Sequence, residues 1–228
     1  MAARSVHTRT DRRAPPSRGP LAWGVLAAAL ALAALLLFAA PRHLLDWQPA
    51  LAPSQPWRLW SAGLVHLSAG HLLANLAGCA VVGAFGIAAR VSGASVVAWL
   101  LAWPLGHAAL AWQPQLLHYA GLSGLLHAGV VVVALPLVWR GTPQQRWVGA
   151  AVLAGLGAKL LLERPWLTAV QQVPGWDIPI ASVAHLSGAL AGLVCGAGAL
   201  AWAGRTPAQA GAGVSGGSGA SERTSSLR

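Results

Sequence analysis

Six long apolar runs constrain this chain more than any other feature: roughly Leu21–Ala40, Leu64–Ala89, Ser95–Trp112, Leu122–Trp139, Trp147–Leu162 and Ile180–Trp202. Each is near the ~20 residues that cross a hydrocarbon core as an α-helix, where the backbone satisfies its own hydrogen bonds. Of the 228 residues 56% are hydrophobic and 9% charged, a balance outside the usual range of soluble domains. The expected fold class is therefore an all-α membrane protein, a bundle of six transmembrane helices over residues 21–203, with no room for a separate soluble domain.

The remaining segments are flanks and connections. Residues 1–20 are polar, basic and proline-containing, and residues 204–228 are Gly/Ser-rich; both compositions predict disorder. The first run also has the features of a signal peptide's apolar region, with Arg12-Arg13 as a twin-arginine-like signal, but its ~20-residue length and the spans that follow favour a first transmembrane helix. The connections are a Pro/Trp-rich stretch at Pro41–Trp60, a loop at Gln113–Gly121 and a third loop at Arg164–Pro179, which reads as a movable lid.

The charge distribution sets an orientation. With the N-terminus cytoplasmic, that side also receives Arg90, Arg140, Arg146, Arg205, Arg223 and Arg228, whereas the opposite side receives Arg42, Arg58 and Arg164, with Lys159 near it. Both termini are thus expected inside. The net charge of +10 does not imply nucleic acid as a partner, because the basic residues fall between apolar runs and form no single patch. Cys79 and Cys195 both lie inside apolar runs, which argues against a disulfide framework or a metal site.

Polar groups at membrane depth carry the functional reading, since each costs a few kcal/mol to insert and usually faces an interior or a wet cavity. The second run holds His66, His71 and Asn75, the last two at i and i+4 on one helix face. The fourth holds Ser123 and His127 at the same spacing, and the sixth holds His185 followed by Gly188, Gly192 and Gly196. In the expected orientation these three helices all enter from the outer face, and at ~1.5 Å per residue His71, Ser123 and His185 all lie within about 10 Å of that face, at one level. The glycine stripe of the sixth helix lets another backbone approach, with Gly121, Gly124 and Ala128 as the small residues on the facing helix. Each feature has a plainer explanation: a membrane serine bonds its own i−4 carbonyl, a histidine fills a packing position, and small-residue stripes are common. Their shared depth and direction favour one cavity.

Four motifs in order resemble those of the rhomboid family of intramembrane serine proteases. They are Trp57-Arg58, His66-x4-His71-x3-Asn75, Gly121-Leu122-Ser123-Gly124 and Ala184-His185-x2-Gly188-x3-Gly192. The resemblance implies a Ser–His dyad with Ser123 as nucleophile and His185 as general base. It also implies His71 and Asn75, with the Ser123 backbone N–H, as oxyanion donors, Gly121 and Gly124 as parts of the serine motif, His66 as support for the first loop, and no cofactor or metal. The nearest acid considered for orienting His185 is Asp177, eight residues before it and too distant. Glu163 stands four residues after Lys159, a spacing that predicts a local ion pair. The segment Gly121–His127 is similar to the bacterial rhombosortase subgroup, with His127 as a subgroup feature or a packing residue. That likeness implies single-span substrates with a C-terminal Gly-rich anchor, and a place in the bacterial inner membrane with the site open to the periplasmic side. The alternatives are an inactive rhomboid-like binding or chaperone protein and a metal-dependent protease or transporter, the latter lacking an HExxH motif.

Overall fold

The computed structural model describes residues 18–113 and 115–205, and the expectations for the flanks up to residue 17 and from residue 206 lie outside them. Among the described residues there are seven α-helices: α1 (Gly19–Leu36), α2 (Arg58–Leu64), α3 (Ala69–Ala88), α4 (Gly93–Ala109), α5 (Ser123–Arg140), α6 (Pro143–Glu163) and α7 (Ser182–Arg205). Gly19, Pro20, Gly204 and Arg205 thus belong to the terminal helices. Proline is compatible with a first turn, whose N–H groups have no helical partner in any case.

Five helices, α1, α3, α4 with its 3₁₀ extension to Trp112, α5 and α7, are long and apolar enough to cross a membrane. The remaining long helix, α6, has 21 residues but carries Gln144, Gln145, Arg146, Lys159 and Glu163, which lower its apolar character. The short α2 interrupts the first connection, which the sequence presents only as a Pro/Trp-rich stretch. Trp57, just before it, is half exposed.

Helix boundaries follow local chemistry. Ser68 caps α3 by accepting from the His71 N–H at 3.1 Å, so the helix begins at Ala69 and His66 lies in the extended connection before it rather than on the face shared by His71 and Asn75. Thr142 and Gln145 form a capping box at the start of α6, and Arg164 ends that helix in the left-handed region at φ 46°.

The core is assembled by aromatic rings and close backbones. Trp23 of α1 and Trp99 of α4 stack with centroids 4.2 Å apart, and their indole N–H groups donate to Val82 O of α3 and Leu125 O of α5 at 2.9 and 2.8 Å. Each buried indole thereby meets its hydrogen-bond need inside an apolar interior. Along α7, a Cβ placed on Gly188 would lie 1.9 Å from Gly124 O, and one on Gly192 would lie 2.6 Å from Ala128 O. The expected stripe therefore packs on α5 at Gly124 and Ala128. Gly121 has a different neighbour: with φ +111°, its absent Cβ would meet the His71 ring at 2.5 Å, so it makes room for α3 instead.

Candidate active site

Ser123 is the first residue of α5, His71 lies in the first turn of α3, and His185 in the first turn of α7. These three helices begin at one end of the bundle, so the level expected from sequence is shared. All three side chains, with Asn75, line a single cavity of about 810 Å³. Its polar end also receives His127, Lys159 and Glu163, while Ala74, Ala77, Gly78 and Val81 of α3 and Val152, Gly155 and Leu156 of α6 continue it as an apolar groove.

The turn that presents Ser123 is held from outside its own helix. The Tyr119 hydroxyl donates to Gly121 O at 2.7 Å and accepts from the Gly124 N–H at 3.3 Å, and Ser123 lies within hydrogen-bonding reach of it. Burial raises the Tyr119 phenol above its ordinary value, so it stays protonated and can donate. The backbone of Tyr119 pairs in both directions with Trp47, at 2.8 and 2.9 Å, and Gly121 N–H donates to Ala62 O of α2 at 2.9 Å. Arg58 then ties the first connection together: its guanidinium pairs with Asp46 at 3.0 Å, and Asp46 also accepts from His118 at 2.6 Å. A buried ion pair of this kind is strongly disrupted by loss of one partner. The Trp57-Arg58 motif thus reaches the serine turn through Asp46 and His118. Tyr119, Asp46 and His118 were not legible as site residues; the one sequence signal is that Tyr119, the only tyrosine, stands four residues before Ser123.

His71 and Asn75 face the same space. The Leu67 N–H donates to His71 Nδ1 at 3.4 Å, which places the ring proton on Nε2 as a donor, and Asn75 Nδ2 donates one of its hydrogens to His71 O at 3.0 Å, leaving the other free. His66 packs edge-on against His71 with centroids 4.9 Å apart. Burial pushes the His66 imidazole down to about 4, so it is neutral at physiological pH.

His185 is enclosed on two sides. The His127 ring stacks on it at a centroid distance of 4.3 Å and an angle of 12°, while His127 Nδ1 is fixed by Ser123 O at 2.6 Å. The second neighbour corrects the expectation that no acid reaches this ring. Glu163 Oε2 lies 2.8 Å from His185 Nδ1, with Lys159 paired to the same carboxylate. The local Lys159–Glu163 pair is present, but α6 ends beside the start of α7, and so the pair faces His185. Asp177 instead accepts from the Ser68 hydroxyl at 2.9 Å. The loop carrying Asp177 folds back as a small hairpin through the Gln171–Ile180 bridge, and Val173, Trp176, Ile178 and Pro179 cover the cavity.

Among curated proteins none matches the chain. The family model described as "Rhomboid domain" matches residues 53–202, which contain every residue that lines the cavity. With a match over most of its length, and as an integral membrane protein built from an all-helical bundle, the chain belongs to the rhomboid family of intramembrane serine proteases.

Proposed function

We propose that this chain is an intramembrane serine endopeptidase that hydrolyses a peptide bond in or beside a substrate's transmembrane helix. The observation that carries the reading is the convergence of Ser123, His185, His71 and Asn75 on one cavity that is polar at one end and apolar along its length. His185 takes the Ser123 hydroxyl proton as the oxygen attacks the carbonyl, the amine leaves with that proton, and water resolves the acyl-enzyme. The Nε2–H of His71, the free amide hydrogen of Asn75 and the Ser123 N–H stabilise the developing oxyanion. The Gly124 N–H is already engaged by Tyr119.

Six spans, with α6 as the fifth, a cytoplasmic location of both termini in a bacterial inner membrane and a site opening outward agree with the arginine distribution. The Gly121–His127 segment supports the rhombosortase subgroup, and with it substrates that carry a C-terminal glycine-rich stretch, one transmembrane helix and a basic end. Glycine lowers helix stability by about 1 kcal/mol relative to alanine, so such a stretch unwinds easily beside the serine. The test is incubation of the reconstituted protein with a substrate of this design, followed by mass spectrometry of the new C-terminus. Cleavage within the glycine stretch, lost in Ser123→Ala and in substrates whose glycines become leucines, is expected. Cleavage of the leucine substrate would leave a general intramembrane peptidase, and no cleavage of any membrane substrate would favour an inactive binding protein.

A further inference from the structure

We propose that Glu163 is a positioning residue for His185, so that the site operates as a Ser–His–Glu chain whose acid comes from the end of α6. The inference rests on the serine-peptidase reading and adds a residue that the dyad does not contain.

The geometry points to one tautomer. Glu163 Oε2 stands 2.8 Å from His185 Nδ1, and Lys159 is ion-paired with the other carboxylate oxygen, which keeps the acid ionised. An ionised carboxylate has no proton to give, so the hydrogen in this contact belongs to Nδ1. Nε2 is then left with its lone pair, which is the form a base for Ser123 requires. Stacking of His127 on the ring face restrains the plane of the imidazole.

Lys159 makes the acid necessary in a second way. Its Nζ lies 3.1 Å from the same His185 Nδ1. An ammonium can only donate, so with Glu163 absent Lys159 would be the polar neighbour of Nδ1 and would draw the ring into the opposite tautomer, with the proton on Nε2. That form cannot accept from Ser123. Glu163 therefore both receives the Nδ1–H and engages the lysine that would otherwise compete for the nitrogen. During acylation the Ser123 proton moves to Nε2, the Oγ–C bond forms, the C–N bond breaks and the proton leaves on the amine; the Nδ1 proton stays on the ring throughout.

The groups facing His185 are Lys159 and Glu163 from α6, His127 from α5 and His71 from α3. Of these only Glu163 favours the imidazolium form. Its neutralisation should make His185 a weaker base and move the acid limb of the rate profile to lower pH, because a base of lower pKa becomes neutral earlier as pH rises.

The experiment compares wild type, Ser123→Ala, Glu163→Gln, Glu163→Met and the double variant Lys159→Met/Glu163→Met. Each is read by the rate of Ser123 labelling with a fluorophosphonate, by the pH profile of cleavage of a membrane-anchored substrate, and by thermal unfolding. Glu163→Met is expected to lose on the order of 10³-fold in rate, and the double variant to regain at least about tenfold by removing the competing donor. Glu163→Gln, nearly isosteric and still able to accept from Nδ1–H, should lose less and show the acid limb at lower pH. Wild type active, Ser123→Ala inactive and both Glu163 variants within about threefold of wild type with an unmoved limb would overturn the role of Glu163 alone. A Glu163→Met loss with no recovery in the double variant and no limb shift in a folded Glu163→Gln would also overturn it, since a merely structural contact predicts that pattern. Wild type inert in both assays would remove the peptidase reading and this inference together.

Discussion

The two sides of the cavity are built on different principles. On one side α5 and α7, backed by α4, pack closely enough for backbones to touch, and α3 is tied in through Trp23 of α1, which stacks on Trp99 of α4 and donates to Val82 O. On the other side α6 has a single buried residue, Gly149, which packs on Ala134 O of α5. Among the described residues α6 makes no close approach to α3, and the groove between them is the long apolar part of the cavity. Ser123, His71 and Asn75 all stand on the close-packed side, where a displacement of ~1 Å would cost rate. Glu163 and Lys159 stand on the sparsely packed side. Packing thus sets Ser123, His185, His71 and Asn75, the residues proposed as nucleophile, base and oxyanion donors, whereas the α6 wall is free to differ.

The largest effect is expected from a side chain placed where the backbones touch. Gly188→Val would place its Cβ 1.9 Å from the Gly124 carbonyl oxygen, a clash that no rotamer relieves, and overpacking costs ~1–3 kcal/mol or more. The expected outcome is loss of the folded state in thermal unfolding, and loss of cleavage with it. An intermediate effect is expected on the α3 face. His71→Ala and Asn75→Ala should each lower kcat by ~10²–10³ with KM little changed, measured in steady-state kinetics, as for donors that act on the transition state. A raised KM at unchanged kcat would make this face a substrate-binding surface. The smallest effect belongs to α6. Gly157 has nothing within 4 Å of a built Cβ, so Gly157→Ala should leave activity unchanged and raise thermal stability by no more than ~1 kcal/mol through helix propensity.

What could be read from the sequence divides along the same line. The long helices were legible within a few residues because apolar length and capping residues such as Ser68 are local, although among the described residues only five of the six expected spans are long and apolar enough to cross a membrane. The meeting of α5 and α7 was legible because Gly188 and Gly192 admit only a small partner, and Gly124 and Ala128 supply it. Gly121 was misread as part of that contact, since nothing local shows that its positive φ makes room for His71. Glu163 was legible only as the partner of Lys159, a local i,i+4 relation; its approach to His185 depends on how the Arg164–Ala181 connection returns the chain, which no spacing reveals. The same holds for Arg58, whose service to the serine turn passes through Asp46 and His118.

Activation of Ser123 as a nucleophile at the polar end of this cavity underlies the proposed peptidase function. Its most direct test is reaction of the purified membrane protein with a fluorophosphonate, followed by peptide mapping of the adduct. A single adduct on Ser123, formed at a rate reduced by ~10⁴ or more in His185→Ala and absent from Ser123→Ala, is the predicted result. Failure of the folded wild-type protein to react, or equal labelling in His185→Ala, would contradict it.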